Sequence, residues 1–219
     1  MLEEILPGEV AAAEAFDDPP GTVLYPEEEV AVSRAVDKRR REFTTGRLCA
    51  RRALVRLGLP EVPIPSGPDR QPQWPPGVVG SITHCAGYRA AALAHDRYLA
   101  ALGIDAEPHD RLPDGLLGAV ALPGEQARLA TLARNVAEVH WDRLLFSAKE
   151  SVFKTWYPLA RRWLGFEGAD VTLDPGGTFR VRLLVSGPEV AGRPLSTLDG
   201  RWLVRNSLLV TAIALPAGG

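Results

Sequence analysis

The segment "GIDAEPH", Gly103 to His109, sets Asp105 and Glu107 one residue apart at the end of an apolar run. Strand side chains repeat with period two, so both carboxylates fall on one face of one strand. Two like charges held there repel each other unless a cation lies between them. The pair is open to two readings: a strand end whose acids face solvent, or part of a metal site at the strand ends where open α/β sheets bind ligands. Oxygen donors alone suit a hard cation such as Mg²⁺, with Mn²⁺ as a substitute, bound through carboxylates together with a phosphate. Such a site needs a third acid or a phosphate.

The segment "LLFSAKESVFKTWYPL" offers that acid. Leu144, Leu145, Ala148, Val152, Phe153 and Trp156 form an apolar stripe, which predicts a helix with Lys149, Glu150 and Lys154 on its other faces. Glu150 and Lys154 stand four residues apart, a spacing that suits a surface ion pair. The same spacing suits a carboxylate on a metal beside an ammonium on the phosphate that the metal holds. Only three of the 25 basic residues are lysines, Lys38, Lys149 and Lys154. Two of these lie in this motif, where a compact point charge differs most from arginine's planar fork. A further stretch, "GSITHCAGY", brings hydroxyls at Ser81 and Thr83 and, at His84, a donor that becomes cationic near a phosphate. A structural histidine beside a strand is the competing reading of His84. His95, His109 and His140 receive no role. No Walker loop, GxGxxG, HExxH or GxSxG pattern occurs, which argues against ordinary kinase, GTPase and dehydrogenase chemistry.

Helices and strands must bring these residues together. The chain up to about Pro26 reads as loop, and Glu27 to Leu57 reads as two helices stopped by Gly58 and Pro60. "EVPIPSGPDRQPQWPP" is too rich in proline for anything but an extended loop. Tyr88 to Ala94 and Tyr98 to Glu107, separated by "HDR", predict a hairpin. Helices are expected at 116–120, 124–134 and 139–156. "ADVTLDPGGTFRVRLLV" and "GRWLVRNSLLVTAIAL" follow as strands, the last pair joined across "RNS". Helices followed by strands thus occur twice, an order that predicts an α+β fold of two packed halves with a ligand cleft between them.

A chain of 219 residues, 46% of them hydrophobic, can bury a substantial core. Runs such as "AAALA" and "LLVTAIAL" fall far short of the roughly 20 apolar residues that cross a bilayer, and "MLEEILPGEV" lacks a basic signal-peptide start. A cytoplasmic protein with no membrane contact is expected. Cys49 and Cys85 lack metal-ligand spacing and read as reduced thiols. A net charge of −2 argues against bulk nucleic-acid binding. The basic run "DKRRREFTTGRLCARRALVR" is either a solvated helix face or an anion site.

Taken in order, "RRREFTTGRLCARRAL", "GVVGSITHCAGY", "GIDAEPH" and "FSAKESVFKTWYPL" resemble the 4′-phosphopantetheinyl transferases, in the single-chain pseudodimeric form found in high-GC bacteria. The resemblance covers about Leu6 to Leu215. It implies a pseudodimer of two similar α/β halves, residues 1–101 and 102–219, with coenzyme A and Mg²⁺ in the cleft between them. It also implies transfer of the phosphopantetheine arm to a serine of an acyl or peptidyl carrier protein, with release of 3′,5′-ADP, in fatty-acid, polyketide, peptide or siderophore synthesis. Carried onto this chain, the family's positions make Asp105, Glu107 and Glu150 the metal site, with Glu150, directly or through water, a candidate base for the serine proton. Lys154 falls on the pyrophosphate, Arg39, Arg47 and His84 on phosphates of coenzyme A, and Thr83 beside the nucleotide. Where relatives often carry a lysine for the 3′-phosphate this chain has Ser66, and Arg70 is the candidate replacement. A monomer is expected.

Carrier proteins commonly present acidic helices, so His109 to Val120 is the expected docking segment, with Leu112, Leu116, Leu117 and Val120 as its apolar contacts or as a buried helix face. A Mg²⁺-dependent phosphodiesterase and a non-catalytic coenzyme A-binding regulator are the rival readings.

Overall fold

Two stretches of twenty residues form the long helices, and each lies on its own antiparallel sheet. In the computed structural model, which describes residues 1–218, β1 (Ala11–Ala15) and a single turn, α1 (Pro26–Glu29), precede the long helix α2 (Asp37–Arg56). The strands β2 (Val78–Cys85), β3 (Tyr88–His95) and β4 (Leu99–Pro108) follow, then the helices α3 (Leu117–Val120), α4 (Pro123–Asn135) and α5 (Trp141–Ala160). The chain closes with β5 (Ala169–Asp174), β6 (Thr178–Leu183), the short pair β7 (Glu189–Val190) and β8 (Arg193–Pro194), then β9 (Thr197–Arg205) and β10 (Leu208–Pro216). One sheet runs β1-β3-β2 and the other β4-β10-β9-β6-β5. The fold is therefore mixed α+β. No helix is long and apolar enough to cross a membrane.

β1 lies in a stretch expected to be loop. "AAAEA" has no β-branched or aromatic residue to signal a strand. Pairing imposes it: Ala11 to Ala13 stand opposite Leu93, Ala92 and Ala91 of β3, and small side chains on both strands let α2 pack close. The other long elements match expectation, including the turn at Asn206 and Ser207, both with positive φ, that joins β9 to β10.

The expected hairpin between 88–94 and 98–107 does not form. β3 pairs with β2 through the two-residue turn Ala86-Gly87 and with β1 on its other edge, so it has no free edge left for β4. After the turn at 96–98 the chain crosses instead to the second sheet, where β4 pairs with β10 in a register that sets Thr211 opposite Asp105. A cut at 101/102 would thus fall inside β4, which runs whole along the edge of the five-stranded sheet.

β2 and β4 meet at the seam between the sheets without a backbone ladder. The Ile104 amide donates to Ser81 Oγ at 3.1 Å, and the Ala106 amide donates to Thr83 Oγ1 at 3.0 Å. Two hydroxyls from β2 thereby satisfy edge donors of β4 that would otherwise be buried unpaired. One apolar cluster spans the seam, with Tyr88 and Ala92 from one sheet and Leu102, Ile104 and Val210 from the other. On the far face of β4, α5 packs so tightly that a Cβ at Gly103 would collide with the Ser151 carbonyl and Thr155 Oγ1.

Candidate active site

The seam and α5 together build the site. Asp105 points from β4 toward α5 and is nearly fully buried. Its Oδ1 accepts from Lys154 Nζ at 2.8 Å and from Thr83 Oγ1 at 3.3 Å, while Oδ2 is buried without a hydrogen-bond partner. Lys154 Nζ also donates to the Ile104 carbonyl at 3.0 Å. A buried carboxylate oxygen with no donor is costly, which marks this atom as a candidate ligand for a cation.

Glu107, two residues along the same strand, is held by Arg143 NH1 at 3.0 Å. Burial and then the neighbouring Asp105 charge raise its pKa to about 7, against the opposing pull of Arg143 and Lys154. Glu150 is raised for the same two reasons, burial first and Asp105 second. Two carboxylates whose proton affinity is raised beside a third charge form a site short of positive charge. Among the described residues, no three carboxylate, imidazole or thiol groups are gathered closely enough to enclose a metal by themselves. Asp105 is engaged by Lys154 and Glu107 by Arg143, so the triad expected from the sequence is near but not assembled. The donor chemistry and the unpartnered Oδ2 fit a hard cation with carboxylate ligands.

His84 stands at the end of β2 with its side chain 37% exposed and the rest covered, its Nε2 against Arg39 NH1 and its Nδ1 3.8 Å from Glu42 Oε2. Burial of the ring and the Arg39 charge lower its pKa, and Glu42 opposes them. Arg47 lies apart from this pair. Its guanidinium is buried, stacks 4.2 Å from the Phe43 ring centroid, donates to Ser66 Oγ at 3.0 Å and leaves Nε unpartnered. Burial lowers its pKa to about 10. The structure therefore gathers Thr83, Asp105 and Lys154 in direct contact, sets Glu107 and Glu150 beside them, pairs Arg39 with His84, and turns Arg47 toward the proline-rich loop.

A cavity of about 1230 Å³ adjoins Lys154. Its walls are the proline-rich loop around Arg70 and Trp74, the first halves of β2 and β4, the end of α5 with Phe153 and Tyr157, and Trp163 just beyond that helix. The Tyr157 hydroxyl donates to Asp69 and so ties α5 to that loop. Arg70 lines this cavity, whereas Ser66 accepts from Arg47.

Of the four residues expected as apolar docking contacts, Leu112 and Val120 are buried and Leu117 packs on the core, so these three belong to the buried face. Leu116 alone is exposed, at 45%. Sequence reasoning did not single out Arg143. Its position seven residues, or two helical turns, before Glu150 was the available signal, because that spacing returns to the same helix face.

The family model described as "4'-phosphopantetheinyl transferase N-terminal domain" matches residues 27–94, and the one described as "4'-phosphopantetheinyl transferase superfamily" matches residues 101–199. The chain is 54% identical to 4'-phosphopantetheinyl transferase Svp from Streptomyces mobaraensis, over 100% of this chain and 91% of that protein. It is 47% identical to 4'-phosphopantetheinyl transferase PptT from Mycobacterium tuberculosis, over 98% of each chain. The match to 4'-phosphopantetheinyl transferase Npt from Nocardia iowensis is 48% identical, over 98% of this chain and 99% of that one. The chain belongs to the 4′-phosphopantetheinyl transferase family. It is an enzyme of that class.

Proposed function

We propose that this transferase moves the 4′-phosphopantetheine arm of coenzyme A onto a serine of an acyl or peptidyl carrier protein and releases 3′,5′-ADP. The observation that carries the residue assignment is the Asp105–Lys154 pair at the seam, with an unpartnered carboxylate oxygen beside the ammonium. Asp105, Glu107 and Glu150 would hold Mg²⁺, which supplies neutralisation of the pyrophosphate and of its departing oxygen. Lys154 binds the pyrophosphate from the cavity side and faces the charge that grows as the leaving group departs. Glu150, whose proton affinity is already raised by burial, accepts the serine proton directly or through water. A bond forms between serine Oγ and the β-phosphorus while the bond from that phosphorus to the bridging oxygen breaks, and the electron pair leaves with 3′,5′-ADP. No covalent enzyme intermediate is required, since positioning and charge neutralisation suffice for phosphoryl-type transfer.

Arg39 and His84 receive phosphates of coenzyme A at the end of β2, with Thr83 beside the nucleotide. Arg47 reads a further phosphate near Ser66, and the free Arg47 Nε supports that role. The pantetheine arm extends into the cavity beside Lys154, whose volume of about 1230 Å³ and lining by Trp74, Phe153 and Trp163 support that placement. The chain is a pseudodimer of two halves, residues 1–101 and 102–219, with the start of β4 crossing that boundary; a long helix on an antiparallel sheet in each half supports that reading. The protein works as a cytoplasmic monomer, and its carriers serve fatty-acid, polyketide, peptide or siderophore synthesis.

The test is the intact mass of a carrier protein incubated with this enzyme, coenzyme A and Mg²⁺. A gain of one phosphopantetheine arm, stopped by EDTA and restored by Mg²⁺ or Mn²⁺, is expected. Release of 3′,5′-ADP with no carrier present would instead identify a phosphodiesterase, and coenzyme A binding without turnover a regulator.

A further inference from the structure

The guanidinium of Arg143 makes contacts that the transfer reaction, as proposed, does not use. From the first turn of α5 it donates through NH1 to Glu107 Oε2 at 3.0 Å, through NH2 to the Arg111 carbonyl at 2.6 Å and through Nε to the Asp110 carbonyl at 3.3 Å. Its neighbour Asp142 completes the grip, since Asp142 Oδ2 accepts from the Leu112 amide at 3.0 Å. The side chain is only 16% exposed, and it is the one cation in hydrogen-bond contact with Glu107 among the described residues. A lone surface ion pair would be worth little. Here one planar fork meets a carboxylate and two carbonyls at once, which fixes their mutual positions.

The two things it joins differ in role. Glu107 belongs to the carboxylate group around Asp105. Residues 110–112 open the segment that leads from β4 to α3, with Asp110 and Arg111 exposed and Leu112 buried as its anchor. Along that segment Arg111 and Leu116 are exposed beside Asp110 and Asp114, so Arg111 is the single cation and Leu116 the apolar contact that it offers to the acidic helix of a carrier protein. Arg143 shares one face of α5 with Glu150 and Lys154, spaced by seven and then four residues, so the same helix face carries the clamp and the chemistry.

We infer that Arg143 is a positioning residue that couples carrier-protein docking on the 110–116 segment to the placement of Glu107 in the acidic site. The inference rests on the transferase reading above. The carbonyls of Asp110 and Arg111 are already pinned through the guanidinium to Glu107, so a carrier that settles on the segment bears on the position of that carboxylate. The fork is essential to this role, because an ammonium can replace the charge opposite Glu107 but cannot hold two carbonyls at the same time.

The test uses the full chain with Arg143→Met and Arg143→Lys, steady-state kinetics in both substrates, and coenzyme A binding measured by calorimetry. Arg143→Met is expected to raise KM for the carrier by about tenfold, the scale of a lost charge-assisted hydrogen bond, and to lower kcat as well. Kd for coenzyme A measured without Mg²⁺ should stay within about twofold of wild type, since the direct side-chain contacts assigned to it lie on α2, β2 and Lys154 and do not involve Glu107. Arg143→Lys should recover most of kcat while its carrier KM stays raised. Wild-type carrier KM in Arg143→Lys overturns the coupling, and so does an equal loss of affinity for both substrates, which would mean that α5 had merely loosened. Thermal denaturation of both variants confirms that the comparison is made on folded protein. A wild-type enzyme that fails to modify any carrier would sink the transferase reading itself, an outcome separate from all of these.

Discussion

Lys154 is defined by what its ammonium touches. One nitrogen lies 2.8 Å from a carboxylate oxygen and 3.0 Å from a backbone carbonyl, inside a site where Asp105 is almost fully enclosed. A compact donor with three rotatable protons satisfies both acceptors from a single point, whereas a planar guanidinium is longer and offers its donors in a fixed fork. Lys154→Met keeps the apolar stem but leaves Asp105 Oδ1 with Thr83 alone and removes the charge proposed to face the leaving group. Its kcat is expected to fall by about 10²-fold at saturating Mg²⁺, the scale of one lost electrostatic stabiliser of a transition state. Lys154→Arg should remain folded, still bind coenzyme A and modify carrier protein slowly. The structure pairs Lys154 with Asp105 rather than with Glu150, and rates near wild type in both variants, read by carrier mass against time, would leave that contact a purely structural one. The acid pair in "GIDAEPH", the alternation of acids and bases on α5 and the hydroxyls of β2 were all legible as chemistry, because each is a local pattern of residue types. Arg143 was not singled out, because its partners are one side chain and two backbone carbonyls more than thirty residues away, and no local pattern marks those.

At the level of elements, the site depends on how closely α5 approaches β4. Gly103 is the point of contact: its missing Cβ leaves room for the Ser151 carbonyl and Thr155 Oγ1. Behind Asp105, Thr211 Oγ1 meets Ser151 Oγ at 2.7 Å and Ser147 Oγ at 3.0 Å, so these three buried hydroxyls are paired. Gly103→Ala would press a methyl group into helix backbone, which cannot swing aside as a flexible side chain does. A loss of about 1–3 kcal/mol is expected from overpacking of this kind. Displacement of α5 should also lower turnover by more than the fraction unfolded explains, since Lys154 and Glu150 ride on the helix. Urea denaturation and activity on the same samples separate the two effects, and unchanged stability would remove this account of the glycine. Helices and the last strands were legible because their periodicities are long and their ends are marked by glycine, proline and asparagine. The partner of β4 was not: "HDR" between two alternating runs is what a hairpin also looks like. The choice is made by β1, an alanine strand without sequence signal that takes the free edge of β3.

The molecule as a whole is joined by the apolar cluster at the seam, and Tyr88 is the large side chain there that also carries a polar group. Its hydroxyl donates to Glu14 of β1, which also accepts from the Leu2 amide at 3.4 Å. Burial first, and then the bond to Glu14, push the Tyr88 pKa far above its ordinary value. Two free thiols move the same way: burial raises Cys49 to about 11, and burial with the charges of Glu107 and Asp105 raises Cys85 to about 12. All three groups hold their protons more tightly in the folded chain than in the unfolded one. The stability they contribute is therefore complete below the unfolded-state values, near 8.5 for a thiol and 10 for tyrosine, and is lost progressively as pH rises past them. Because Tyr88 sits between the two sheets, that loss should appear as one cooperative weakening of the whole chain rather than as the melting of one half. Tyr88→Phe keeps the ring in the cluster and leaves Glu14 one donor short, at an expected cost of about 1–3 kcal/mol at neutral pH. Above about pH 10 its stability should decline less steeply than that of wild type, because one of the three titrating groups is gone. Urea titrations of both proteins between pH 7 and pH 11 measure the two slopes. Parallel curves across that range would show that the tyrosine proton is not what the alkaline limit of this fold depends on.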